Sequence, residues 1–272
     1  MNRKQFWTIL KKDFQYQTRQ INPVYIEKIP NLPTFLYYLN IIKVVFNHGI
    51  TASRHNYSRE VWMNGSWEMI NIAESVGATV CVSGLENVSD YKGPLVYISN
   101  HMSMVDAFFL PGFLLGFNDI TFVIKQDLFN YPFFGSVMQA INPIAVTRKN
   151  PREDLKTVLN EGTKRLSRGC SVIVFPQATR SHVFDASKFN SLGIKLARKA
   201  GVPVIPVALK TDFQGYGKYI KDMGKIDPGK NIHIKFGRVL NIKGKGQAAH
   251  EHIVKFIAEN VKQWGGEVKN VF

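Results

Sequence analysis

From residue 78 onward the sequence predicts an α/β fold: a largely parallel mixed sheet flanked by helices, preceded by an N-terminal helical segment. Two observations lead there. Short apolar runs alternate with longer stretches of helical period, as a chain of strands and crossover helices must. And His101, Arg148 and Arg180 each stand just after one of those runs. Ligands of such sheets gather beyond the carboxyl ends of the strands, so three chemically capable residues at three strand ends form a constellation.

The chain has 272 residues, 45% hydrophobic and 20% charged, enough for one large domain or a domain with an appendage, and too apolar for wholesale disorder. Its formal net charge is +15. That calls for an anionic partner: nucleic acid, anionic lipid or a phosphorylated substrate. The Lys and Arg residues form no dense tract, which argues against a basic tail. Cys81 and Cys170 lack a Cys-x-x-Cys partner and read as buried thiols of a reducing compartment. The charged start, Met1-Asn-Arg-Lys, is expected to carry no secretory signal.

Residues 1–34, with Pro23, Pro30 and Pro33, read as an irregular lead-in. Phe35 to Phe46 is an apolar helix interrupted by Asn40 and Lys43. It is shorter than the roughly 20 apolar residues a membrane span needs. It suits either the bilayer interface or the core of a soluble domain. Ser58 to Val76 is a second helix, stopped by Gly77. Residues 78–83 read as a strand and Gly84 as its turn.

Leu95 to Ile98 is a buried strand that stops at Ser99-Asn100-His101. Ser103-x-x-Asp106 resembles a capping box, so His101 falls in a strand-to-helix turn with Asp106 in the first helical turn. There the chain can fold back and let Asp106 hold one imidazole nitrogen, leaving the other to take a proton. The plainer reading makes Asp106 a cap and His101 an ordinary loop residue.

The greasy segments after Asp106, Ala107 to Phe117 and Leu128 to Met138, suit core packing, an apolar slot or contact with lipid. Thr121 to Ile124 and Ile144 to Thr147 are strands, the second ending at Arg148. Asn150-Pro-Arg-Glu153 opens a helix by cap, first-turn proline and first-turn acid. Ser171 to Phe175 is a buried strand, followed by Pro176-Gln-Ala-Thr-Arg-Ser181. Ser187 to Ala200 reads as a helix, and Val202 to Leu209 as a strand whose prolines suit its start or a sheet edge. Residues 211–230 are glycine-rich loop. Ile232 to Gly237 alternates like a half-buried strand, and a helix with Ile253, Ile257, Val261 and Trp264 on one side closes the chain. His250-Glu-His252 lacks the spacing of a helical zinc pair, so no metal site is expected.

Four blocks in order resemble the glycerolipid acyltransferase family, especially the lysophosphatidic acid acyltransferases, over roughly residues 80–240. Asn100-His101-x-Ser103-x-x-Asp106 is similar to its first block, and Ile144-Ala-Val-Thr-Arg148 to its second. Phe175-Pro-Gln-Ala-Thr-Arg-Ser181 is similar to the third, and Val202-Pro-Val-Ile-Pro-Val207 to the fourth. The resemblance implies acyl transfer from acyl-CoA or acyl carrier protein to a lysophospholipid hydroxyl, with no cofactor. His101 would be the general base, Asp106 its orienting carboxylate, and Arg148 and Arg180 the phosphate ligands. Asn100, Gln177, Thr179 and Ser181 complete the implied substrate-binding set. Ser103 reads as a cap, with no nucleophile elbow around it.

The chain divides on this reading into residues 1–77, helices at the membrane interface, and 78–272, the acyltransferase domain. The expected place is the cytoplasmic face of an anionic membrane, with no nucleic-acid partner. Gln177 and Ala178 stand where the family has an acid and a glycine. Both touch the acceptor side, which leaves open another lysolipid or amino-lipid acceptor, or a catalytically silent lipid-binding homologue. A nucleic-acid-binding module rests on the charge alone.

Overall fold

The computed structural model describes residues 2–18, 31–177 and 179–271. Its elements run α1 (Arg3–Asp13), β1 (Tyr16–Gln17), α2 (Leu32–Ser53), α3 (Arg59–Ser75), β2 (Val80–Ser83), α4 (Leu85–Ser89), β3 (Val96–Ser99), α5 (Val105–Leu114), β4 (Ile120–Lys125), α6 (Phe134–Ile141) and β5 (Ile144–Val146). There follow α7 (Pro151–Ser167), β6 (Ser171–Val174), β7 (Val183–Asp185), α8 (Leu192–Ala200), β8 (Val204–Lys210), β9 (Ile232–Phe236), α9 (Gln247–Gln263) and β10 (Glu267–Lys269). The main sheet has the order β1-β2-β9-β8-β3-β6-β4-β5, and β7 pairs with β10 apart from it.

Most pairings in the main sheet are parallel; β1 against β2 and β8 against β9 are antiparallel. The central strands are apolar on both faces because helices cover both. Leu95 and Tyr97 pack with Phe109 and Phe113 of α5 and with α1 to α3. Val96 and Ile98, pointing the other way, pack with Val158, Leu196, Ile253 and Ile257 of α7, α8 and α9. The N-terminal helices thus share one apolar cluster with the sheet.

The lead-in departs from its expected irregularity. Asn2 caps α1, its side chain accepting from Gln5 N while the Gln5 side chain accepts from Asn2 N. That Asn-x-x-Gln signature is legible in the sequence. Phe6 and Leu10 carry the helix into the core. The three prolines divide: Pro33 lies in the first turn of α2, while Pro23 and Pro30 lie outside the described residues.

Two other expectations shift. The helix expected from Ser187 begins at Leu192, because Asp185 and Asn190 turn the chain first through side-chain bonds to Ser187 N and Leu192 N. Strand β8 is central, with β3 and β9 on its two sides, although Pro206 lies within it. Gly237 N donates to Pro206 O, so the missing Pro206 N–H faces the same neighbour, just past the end of β9. The segment after Asp106 is core: Phe109, Leu110, Phe113 and Leu114 are buried. Cys81 and Cys170 are half-buried free thiols, and burial raises both their pKa values.

No helix among the described residues is long and apolar enough to cross a membrane. Helix α2 nevertheless leaves Phe35, Leu39, Ile42 and Phe46 exposed, Phe35 by 63%. Their spacing puts them on one stripe, and Phe133 extends it with its ring 4.6 Å from that of Phe46. Gly49 lets the backbone at Phe133 come this close, since a Cβ there would sit 2.6 Å from the Phe133 Cβ.

Candidate active site

Strands β8, β3 and β6 are parallel neighbours, so their carboxyl ends open on one side. The turns that follow them carry Thr211, His101 and the segment Pro176–Ser181 respectively.

His101 Nδ1 lies 2.7 Å from Asp106 Oδ2. The same oxygen accepts from Met102 N at 2.6 Å and Ser103 N at 3.1 Å, while Oδ1 accepts from Thr211 Oγ1. A carboxylate surrounded by donors is an acceptor, so Nδ1 carries its hydrogen and Nε2 keeps its lone pair. Asp106 is fully buried and the His101 side chain is 18% exposed. The Phe175 ring stacks on the imidazole, with centroids 4.1 Å apart and planes at 15°. Carboxylate and stack together fix the ring's plane, and the side chain stays partly exposed.

The capping box expected at Ser103 takes another form. Met104 occupies the cap position with no side-chain bond, and Ser103 Oγ reaches Val105 N at 3.3 Å. Asp106 satisfies the backbone N–H groups before the helix, which folds the turn over its own first residues. Ser103 Oγ donates to Thr211 Oγ1, so its hydroxyl belongs to the support of Asp106.

Residues expected to touch substrate instead hold the turn in place. Gln177 Oε1 accepts from His101 N at 2.7 Å. Asn100 is buried, its amide donating to Leu209 O and accepting from Leu209 N, so both ends are committed to β8. Ser181 N donates to His101 O, and its hydroxyl is spent on Val183. Thr179 is exposed and accepts from Lys221 Nζ. Ala178 lies outside the described residues.

The bond from Ser181 N to His101 O places Arg180 beside the His101 turn. There it forms a forked pair with Asp222, Nη1 to Oδ1 at 2.5 Å and Nη2 to Oδ2 at 3.1 Å. Arg148 follows β5, the edge strand three places from β3, so its backbone is offset by roughly 14 Å. It is exposed, with its N–H on Asp154. The structure therefore brings His101, Asp106 and Arg180 together and sets Arg148 at the rim.

Phe175, Thr211, Tyr216 and the Lys221–Asp222 pair are site neighbours that sequence reasoning did not single out. Tyr216 OH donates to Met102 O within the turn and stacks on His182 at 4.1 Å. Burial is the main cause that holds the His182 imidazole below its ordinary pKa. Two concavities, about 400 and 330 Å³, lie between α1 and strands β2 and β9 and between α2 and α3, and neither is lined by His101 or Arg180. The His–Asp geometry, not cavity size, marks the site.

A family model described as Acyltransferase matches residues 79–210, the span holding every one of these turns up to β8. Over that span the chain is similar to the acyltransferase family. A 1-acyl-sn-glycerol-3-phosphate acyltransferase of Pseudomonas aeruginosa is 34% identical over 168 residues, 62% of each chain. A chloroplastic enzyme of that name from Brassica napus is 33% identical over 128 residues, 47% of this chain and 36% of that one. The chain thus spans less than two thirds of the length of either relative. The crystal structure of the 1-acyl-sn-glycerophosphate acyltransferase PlsC from Thermotoga maritima has the same fold, with a TM-score of 0.63 at 19% identity over 86% of this chain and 95% of that one. The acyltransferase match ends at β8, so the loop carrying Tyr216 and Asp222 lies beyond it.

Proposed function

We propose that the protein transfers a fatty acyl group from acyl-CoA or acyl carrier protein to the hydroxyl of a lysophospholipid, most simply 1-acylglycerol 3-phosphate, giving phosphatidic acid. The observation that carries this is the 2.7 Å pair of His101 and Asp106 set beside the guanidinium of Arg180. His101 Nε2 removes the acceptor's hydroxyl proton, and the oxygen attacks the thioester carbonyl. The tetrahedral intermediate collapses by breaking the C–S bond. The departing sulfur takes the proton back from the imidazolium, leaving a free thiol and an ester. Asp106 holds the tautomer and offsets the charge that develops on the ring. Arg180 grips paired phosphate oxygens of the acceptor. Arg148, at the rim, suits an outer contact with an anionic headgroup. Gln177 and Asn100 act as positioning residues, since their side-chain atoms hold the turn and β8.

The apolar stripe of α2 and Phe133 is assigned to one leaflet of an anionic membrane, on its cytoplasmic face, drawn there also by the +15 charge. Residues 1–77 would then serve as the membrane-associating segment and 78–272 as the acyltransferase domain.

The test is incubation of purified protein and its His101→Ala variant with mixed lysolipids and both donor types, reading products by mass spectrometry. The expected result is a diacyl product and free thiol from the parent protein and neither from the variant. An active variant overturns the role of His101. No transfer by the parent to any acceptor favours the silent lipid-binding alternative that the Gln177 departure raises.

A further inference from the structure

The loop from Thr211 to Lys230 has a fixed neck and an exposed tip. At the neck, Phe213 and Gln214 are buried, and Gly215 N donates to Lys225 O. Gly224 is required there, because a Cβ would lie 2.3 Å from the Gly215 carbonyl carbon. Tyr38 OH donates to Gly224 O, and Thr34 Oγ1 accepts from Ile226 N, so the neck is fastened to α2 beside Phe35. At the tip, Tyr219 is 89% exposed, and Ile220 and Met223 are exposed beside it.

The tip reaches back to the site through two adjacent side chains of opposite charge. Asp222 faces Arg180 with both carboxylate oxygens, the arrangement in which a guanidinium takes two oxygens of a phosphate. Lys221 Nζ meets Thr179 Oγ1 at 3.0 Å and Arg180 O at 3.1 Å and lies over the Tyr216 ring. It has no anionic partner among the described residues. The cluster therefore holds two cations against one anion, and the anion sits where a headgroup would.

We propose that the tip is a headgroup latch: Asp222 occupies Arg180 until an anionic headgroup replaces it, and Lys221 becomes that headgroup's second cationic ligand. This rests on the reading of Arg180 as a phosphate ligand. Both partners of the Arg180–Asp222 pair are partly exposed, and a solvent-screened pair is weak enough to exchange. A doubly charged phosphate gains both cations once Asp222 leaves. The apolar tip residues, flanked by Lys218 and Lys221, suit the lipid interface when the tip swings out.

The experiment titrates inorganic phosphate into the full chain by calorimetry, comparing the parent protein with Asp222→Asn and Lys221→Gln, and follows thermal unfolding of each. Removal of the competing carboxylate should tighten phosphate binding about fivefold in Asp222→Asn. Loss of the second cation should weaken it about tenfold in Lys221→Gln. An Asp222→Asn protein that binds phosphate no more tightly than the parent overturns the latch, as does an unchanged affinity in Lys221→Gln or undetectable binding in all three. A merely structural ion pair would lower the unfolding temperature of Asp222→Asn with no gain in affinity. Absent acyl transfer by the parent protein would instead sink the proposed reaction, and leaves the phosphate titration to decide the latch alone.

Discussion

Thr211 Oγ1 donates a 2.5 Å hydrogen bond to Oδ1 of Asp106, the carboxylate oxygen that His101 does not use. Because Ser103 Oγ donates in turn to Thr211, the carboxylate plane is held from both ends. Thr211→Val keeps the shape and removes the donor. We expect kcat to fall about tenfold with KM nearly unchanged, and about 1–2 kcal/mol of stability to be lost. Thr211→Ser should restore most of kcat. Steady-state kinetics with denaturant unfolding checks this, and a valine variant with the parent kcat would assign the whole orienting role to the Met102 and Ser103 amides.

Asp106→Asn tests the tautomer. An amide offers one acceptor atom where the carboxylate serves four donors, so Nδ1–H of His101 loses its fixed partner. The expected loss in kcat is about a thousandfold or more, as for other His–carboxylate pairs deprived of the acid. Far-UV circular dichroism should show the fold retained. Activity within tenfold of the parent would mean the ring is oriented by the Phe175 stack alone.

The turn at His101 was legible because its signals are local: a buried strand, a polar break and an acid placed to fold back within six residues. The same holds for β6, for the Asn150 cap of α7 and for the alternating burial of β9. The side chains that brace this turn were not legible, because sheet order brings them together. Nothing in the sequence near Thr211 announces that β8 lies beside β3, and only that adjacency carries its hydroxyl to Asp106. The same adjacency turns Asn100 inward to Leu209. Gln177 reads from sequence as a weakened substrate contact, whereas its oxygen is taken by His101 N. Pro206 shows the converse limit: an edge signal overridden because its neighbour β9 ends where the missing donor would be needed.

Gln177→Leu should separate these readings of Gln177. It leaves the partly buried N–H of His101 without its acceptor, at a cost of about 1–3 kcal/mol, and should lower kcat by loosening the turn. Gln177→Glu keeps an oxygen in place and should retain the turn. Differential scanning calorimetry and activity on both variants check the pair. A leucine variant that matches the parent in both would free Gln177 for the acceptor.

The stripe on α2 predicts a surface function separable from the fold. Phe35, Ile42 and Phe46 are exposed, so replacing all three by Ser should leave the unfolding temperature within about 2 °C. Binding to vesicles containing anionic lipid should drop about a hundredfold or more, from the apolar area that no longer enters the interface. Cosedimentation measures it. Vesicle binding unchanged by the triple substitution would place the membrane contact elsewhere.

Stability should fall as the solution is acidified from neutrality, and His182 supplies part of the reason. Burial, the largest cause, holds His182, His233 and His250 below their ordinary values. For His182 the carboxylates of Asp212 and Asp106 favour the charged form and Lys230 opposes it, without reversing the net direction. An unfolded chain protonates its imidazoles near pH 6.5, while these folded ones protonate lower. Below that pH the unfolded state binds more protons, so the stability present above it is progressively lost as pH falls through the folded values. His182→Phe keeps a ring against Tyr216 and removes the titration. Denaturant unfolding at pH 7 and pH 5.5 should therefore show a smaller loss for His182→Phe than for the parent. An identical loss in both proteins would leave the acid sensitivity to His233, His250 and the carboxylates.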